Sequence, residues 1–469
     1  MKNIFKHISI TAIVLSVACT KQIDLIPSDT IDPSKAFETV ADLDAGLLGG
    51  YAGLNIHSSI YYTSRVTDET TLPSENNTGS GVATYRWQYD GSFLHDAWPD
   101  NYKVIDRVNR VLEALETIEG KPSEQEAKNQ YKGELLALRA YCHLELLRNF
   151  ASKYEADGLG VPYMEKSGIS SPARLSFAAT ISKINADLVT AKGLIPESFD
   201  DNTRITKTAV SAIQARTALY EKNWDDAITY STEVIDAKPL ASKTDFPKIW
   251  KDKSEEEVIW KLKRVSGDEE LGSVYNEAAY IDDPAGAKVL YAASYELTNL
   301  FDQANDIRFG TFVIIDEERE TSGATPNVVV KYISANPDSR NLVDIKLFRT
   351  AEMYLIRSEA YARKNDIDNA ADDLNALRAA RINGYTDETF ADADDILPAL
   401  LTERFKELSF EGHRHFDLRR YNLPVTRNPE DAVNALGAVL LPTDKAQYVF
   451  PIPNSELRAN TNMEQNPNY

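Results

Sequence analysis

Two groups of residues in this 469-residue chain carry side chains that do chemistry elsewhere. One is Glu407, Glu411, His413, His415 and Asp417, crowded into residues 403–421. The other runs between 57 and 98 and holds Tyr61, Tyr62, Arg65, Asp68, Asn76, Tyr85, Trp87 and Tyr89. Carboxylates beside imidazoles would do metal or acid–base work, but the spacing argues against it. His413 and His415 stand two apart, so on a helix they point to different sides. Zinc-protease histidines stand four apart, with a glutamate after the first. Glu411 has ordinary helix partners in Arg414 and His415. Phe405, Leu408, Gly412 and Phe416 read as one core-facing stripe with a small residue for close packing. The segment is expected to be a structural helix.

The aromatic group reads as a binding surface. Sugar rings have apolar C–H faces that lie on flat aromatics, while nearby polar groups bind the hydroxyls. Tyr85, Trp87 and Tyr89 alternate, so an extended segment would aim all three one way and Arg86, Gln88 and Asp90 the other. Arg65, Asp68 and Asn76 would supply hydrogen bonds. The competing reading is that these rings pack the loop onto the scaffold, which is the expectation for Trp98. A second candidate set is Tyr275, Tyr280, Tyr291 and Tyr295, with Asn276, Glu277, Asp282 and Asp283 among them. Calcium is an alternative use of those acids, although they lack EF-hand spacing. Asn76-Asn77-Thr78 matches a glycosylation sequon by chance. The sequence contains no Gly-x-Ser-x-Gly, phosphate loop, dinucleotide fingerprint or cysteine metal pair. No catalytic residue, cofactor or metal is therefore expected, although 72 acids leave a paired-carboxylate glycosidase open.

Helices must position these groups. Apolar residues three or four apart mark helices over 100–118, 125–150 and 177–195. A helical hairpin follows, over 207–221 and 224–237, with Ala212, Ala215 and Leu219 facing Ala227, Ile228 and Ser231 across the break at Lys222 and Asn223. A second is expected over 346–363 and 367–381, turning at Asn365 and Asp366. Both have the small-and-aromatic pattern of tetratricopeptide units. The fold class is mainly α: a tetratricopeptide-like hairpin scaffold with loop-rich insertions at 56–99 and 238–345. Short strand-like runs such as Val258–Leu262 and Val328–Tyr332 interrupt the second insertion. One domain over 36–469 fits better than several.

The first residues concern export. Lys2 and Lys6, an apolar run from Ile8 to Val17 and the small residue Ala18 form a signal peptide over 1–18. Cys19 follows the cut in a lipobox-like context, with the large aliphatic residue one place early. Lipidation of Cys19 would tether the protein through the Pro-containing segment 19–35. Cys142 would then be alone in a helical run, a packed hydrophobe with no disulfide partner. A formal charge of -21 repels nucleic acid.

Residues 403–421, the helix Leu347-Phe348-Arg349-Thr350-Ala351-Glu352-Met353-Tyr354-Leu355-Ile356-Arg357-Ser358-Glu359-Ala360, the set Trp98, Tyr102, Ile105 and Asn109, and the ending Phe450-Pro451-Ile452-Pro453 to Gln465-Asn466-Pro467-Asn468-Tyr469 are together similar to the SusD/RagB family of outer-membrane nutrient-binding lipoproteins. The resemblance implies a non-enzymatic cell-surface protein of Bacteroidetes-type bacteria. It would cap a SusC-like TonB-dependent transporter and hand it oligosaccharides or, in some branches, peptides. The alternatives are a pure interaction protein, whose hairpin ridge grips a partner, and a secreted glycosidase.

Overall fold

Small residues decide the scaffold, because alanine and serine let helix backbones approach closely. The computed structural model describes residues 36–76, 79, 81–277, 287–335 and 340–469. The signal peptide, Cys19, the tether to residue 35, Asn77, Thr78, Tyr280, Asp282 and Asp283 lie outside the described residues. The principal helices are α1 (Val40–Ala52), α2 (His57–Val66), α3 (Ala97–Thr117), α4 (Gln125–Phe150), α5 (Phe177–Leu194), α6 (Lys207–Glu221), α7 (Trp224–Ala237), α8 (Thr350–Arg363), α9 (Ile367–Arg381), α10 (Ala393–Glu407) and α11 (Arg414–Arg420). The strands are β1 (Thr70–Thr71), β2 (Val258–Leu262), β3 (Ala292–Ala293), β4 (Val313–Ile315), β5 (Asn327–Val329), β6 (Ile345–Arg349), β7 (Val425–Thr426) and β8 (Leu440–Leu441). They pair antiparallel as β1–β3, β2–β6, β4–β5 and β7–β8.

The hairpin α6–α7 begins and turns where its caps dictate. The Thr206 hydroxyl accepts from the Ala209 amide at 3.2 Å, Lys222 ends α6 in the left-handed region at φ +63°, and Asn223 caps α7. Ala212, Ala215, Ala227 and Ser231 are fully buried along the hairpin. Packing then runs as one ridge: α3 on α4, α4 on α5, α5 on α6, α6 on α7, α7 on α8, and α8 on α9 and α10. The two hairpins, separated in the chain by more than a hundred residues, are neighbours in space through α7 and α8.

Three expectations need correction. Residues 346–349 are not helical. They complete strand β6, whose partner β2 lies in the preceding insertion. Residues 57–66 are a helix, not a loop. Residues 403–421 are two helices, because Phe410 and Gly412 both adopt left-handed backbone, at φ +63° and +80°. The single core stripe and the Glu411 pairs with Arg414 and His415 therefore do not form. Glu411 accepts from Lys331 at 2.8 Å and Arg349 at 2.6 Å, Arg414 binds Asp68, and the His415 ring nitrogen Nε2 lies 3.1 Å from the Tyr448 carbonyl.

The acids of this segment belong to a buried ion network. Arg349 reaches Glu257 at 2.7 Å and Glu407 at 2.8 Å, Arg381 spans the same two carboxylates, and Arg308 joins Asp306, Glu403 and Glu407. Burial alone would raise the Glu407 carboxyl, but the guanidinium groups of Arg381, Arg349 and Arg308 hold it well below the usual range. Glu403 is held at about 2, burial being overcome chiefly by Arg308. Removing one member of such a network leaves a buried charge exposed to low dielectric, at about 3–5 kcal/mol. Glu352 and Arg357 are likewise in ion pairs, with Arg216 and Asp373. Cys142 is a buried free thiol, pushed up by that burial.

Candidate ligand-binding cleft

Helix α2 has two faces with different work. Ile60, Thr63 and Ser64 are buried on the side toward the scaffold. His57, Ser58, Tyr61, Tyr62 and Arg65 recur at helical spacing and line a cleft of about 1060 Å³. The break between α10 and α11 fixes the helix from behind. A Cβ on Gly412 would stand 3.3 Å from the Ile60 Cα, so the loop passes against the α2 backbone. The Phe410 amide donates to Glu69 at 2.8 Å, and Ser64 donates to the other Glu69 oxygen. Burial lifts the Glu69 carboxyl to about 7, against the pull of Ser64, Phe410 and Lys331. Just past the helix, Arg414 grips Asp68 with two nitrogens. The segment that tempts a catalytic reading is thus a clamp behind the cleft floor.

Tyr61 and Tyr62 stand edge to face with centroids 4.3 Å apart, and Tyr62 rests on Phe93 and His95. The Tyr61 hydroxyl donates to Asp96 at 3.3 Å. Arg65 lies between two rings, 4.7 Å from the Tyr61 centroid and 4.6 Å from that of Tyr291. Asp96, Asp100, Glu269 and Glu270 form an acidic rim. Burial, then Asp96 and Glu269, raise the Asp100 carboxyl. Burial, then Arg264, lower His57 to about 4, so its ring is neutral at pH 7. Rings beside carboxylates and a guanidinium can stack a flat apolar face and bind hydroxyls around it. Among the described residues, no group of three or more His, Cys, Asp or Glu is placed to hold a metal ion.

Of the residues singled out from sequence, the cleft collects Tyr61, Tyr62 and Arg65. Tyr85, Trp87 and Tyr89 do not share an exposed face, because Val82–Tyr85 is a helical turn and Trp87 sits at φ +53°. Tyr85 is buried and donates to the Asp431 carbonyl at 2.8 Å; Tyr89 is buried and donates to Gln447 at 2.5 Å. Trp87 is half-buried, its indole N–H spent on the Val66 carbonyl and its ring covered by Arg427 at 4.3 Å. Tyr275 and Tyr291 are core rings at 1% and 0% exposure, which removes both as stacking surfaces. Asp68 is taken by Arg414, and Asn76 is buried with its amide donating to the Leu290 carbonyl. His57, Ser58, Asp96, Asp100, Glu269 and Glu270 were missed. The spacing of His57, Tyr61 and Arg65, four apart, was the available signal.

Comparison with known proteins gives two family matches. The SusD family model matches residues 315–469, and one described as starch-binding associating with outer membrane matches residues 28–219. The chain belongs to the SusD/RagB family. The SusD-like protein P38 of Formosa agariphila is 23% identical over 99% of each chain. The starch-binding protein SusD of Bacteroides thetaiotaomicron is 34% identical across 27% of this chain and 22% of its own. A SusD superfamily structure from Bacteroides vulgatus superposes with a TM-score of 0.79 at 24% identity, over 92% of this chain and all of the other. In this SusD/RagB chain both halves of the clamp and cleft floor fall inside the matched ranges, α2 in the first and residues 408–414 in the second.

Proposed function

We propose that this protein binds an oligosaccharide at the cell surface, in the cleft floored by α2, and delivers it to a SusC-like TonB-dependent transporter. The observation that carries the reading is the pair Tyr61 and Tyr62 beside a rim of carboxylates, in a cleft of about 1060 Å³. That volume exceeds what a drug-sized ligand needs, about 300–1,000 Å³, and suits several sugar rings. Kinship to a protein named as starch-binding supports a sugar as the nutrient. Cys19, lipidated after removal of residues 1–18, would hold the protein to the outer membrane, and residues 36–469 would act as one unit. The protein acts in this reading by binding rather than catalysis; Glu403 and Glu407, in the segment that tempts a catalytic reading, are buried in ion pairs with Arg308, Arg349 and Arg381.

Calorimetry against a panel of neutral and acidic oligosaccharides and short peptides tests the ligand. Sugar binding that weakens in Tyr61→Ala supports the proposal. Binding of peptides alone transfers it to the peptide branch, and sugar cleavage by the purified protein replaces it with a glycosidase. A detergent pull-down from the native host tests the partner: absence of a TonB-dependent transporter refutes delivery. Cys19→Ala should move the protein from the membrane to the soluble fraction.

A further inference from the structure

Arg65 is unlike the other buried arginines. It is 7% exposed, and its Nε is buried without a hydrogen-bond partner. Arg427, close by, has no carboxylate either, but donates to the carbonyls of Thr67, Tyr85, Ala438 and Arg65. Arg349, Arg381 and Arg308 are each paired with two or more acids, although one terminal nitrogen of Arg381 is also without a partner. Arg65 makes only ring contacts among the described residues, while the nearby acids are engaged: Asp68 by Arg414 and Asp96 by the Tyr61 hydroxyl. Gly81, at φ +69°, keeps the access narrow, since a Cβ there would stand 2.5 Å from an Arg65 terminal nitrogen. A guanidinium nitrogen buried without an acceptor is costly, and an oxyanion arriving from the cleft would meet this guanidinium with charge-assisted bonds that no acid of the protein supplies.

The rim limits how much negative charge can arrive. Asp96, Asp100, Glu269 and Glu270 line the same cleft, and Glu269 accepts from Asn55 rather than from a cation of the floor. A polyanion would be repelled by them. A mainly neutral chain with one acid group fits both features: the acid on Arg65, the hydroxyls on the rim carboxylates. Resting on the proposed function, we infer that the cleft selects an oligosaccharide carrying an isolated anionic group, a carboxylate or a sulfate ester, seated on Arg65 between Tyr61 and Tyr291.

The test compares matched sugars by calorimetry at low salt: xylotetraose with and without one glucuronosyl branch, and galactotetraose with and without one sulfate ester. Tetragalacturonate and a tetrapeptide with one aspartate complete the set. The singly charged member of at least one pair should bind about tenfold tighter than its neutral partner, as one charge-assisted contact supplies. The carboxylate and sulfate arms identify which oxyanion is taken. Tetragalacturonate should bind more weakly than the preferred singly charged sugar. Arg65→Gln should bring the ratio of charged to neutral affinity within each pair to about one, whatever it does to the affinity both members share, and Arg65→Lys should keep part of the preference. In wild type alone, the preference should shrink as salt rises, which keeps the test open if Arg65→Gln melts early. Equal binding of neutral and charged members, preference for the polyanion, or a preference that survives in folded Arg65→Gln overturns the inference and leaves sugar binding standing. Preference for the aspartyl peptide alone overturns the glycan class. Failure of every sugar to bind sinks the proposed function, and this inference with it.

Discussion

Gly412→Ala asks whether the clamp positions the cleft. The residue sits at φ +80°, where an L side chain costs about 1–3 kcal/mol. Its new Cβ would also stand 3.3 Å from the Ile60 Cα and Cγ1, tighter than ordinary packing. The α2 backbone must then yield by a few tenths of an ångström, adding about 1 kcal/mol of overpacking strain. Gly437 supplies the control. It has φ +87° and nothing within 4 Å of the same added atom, so Gly437→Ala carries the backbone cost alone. Urea denaturation should show Gly412→Ala destabilised by about 2–4 kcal/mol and Gly437→Ala by about 1–3 kcal/mol. Calorimetry with the preferred oligosaccharide should then separate them: weaker binding in Gly412→Ala, wild-type binding in Gly437→Ala. Equal affinity in both would refute the claim that this loop sets the cleft floor.

Three further outcomes follow from the same coordinates. Tyr61→Ala removes a ring that lines the cleft and should weaken sugar binding by about 1–3 kcal/mol in calorimetry, with the fold intact by circular dichroism. Trp87→Ala should behave oppositely, lowering the urea midpoint through loss of about 2 kcal/mol of half-buried packing while leaving affinity unchanged; a weakened affinity would restore Trp87 to the site. Glu69, lifted to about 7, holds its proton more tightly folded than unfolded, so its contribution is full below about 4.5 and lost as pH rises toward 7. Glu69→Gln should therefore flatten the stability profile between pH 5 and pH 8, and an unchanged slope in urea melts would place the titration elsewhere.

The hairpin scaffold was legible because its code is local. Ala212 and Ala215 recur at helical spacing, and Asn223 stands at the turn, so α6 and α7 were read with their observed bounds. The misread pieces depend on distant partners. Residues 345–349 are a strand only because Val258–Leu262 pairs with them from another part of the chain. Helix α2 shows no helical signature in the sequence because its buried side offers Thr63 and Ser64 rather than an apolar stripe. The hydroxyl of Thr63 is satisfied by its own helix, donating to the Ser59 and Ile60 carbonyls. Gly412 was a visible warning of a break, but the left-handed Phe410 beside it is held by Glu69 and Tyr332, which no spacing reveals. For the site, residue type found Tyr61, Tyr62 and Arg65, but could not tell them from Tyr85, Tyr275 and Tyr291, whose burial is set by the whole fold.

A crystal structure with the preferred oligosaccharide bound tests the central claim most directly. The account predicts sugar density over Tyr61 and Tyr62, with hydroxyls within hydrogen-bond distance of Asp96, Asp100 or Glu269. Density in any other part of the molecule, with the α2 cleft occupied only by solvent, would contradict it.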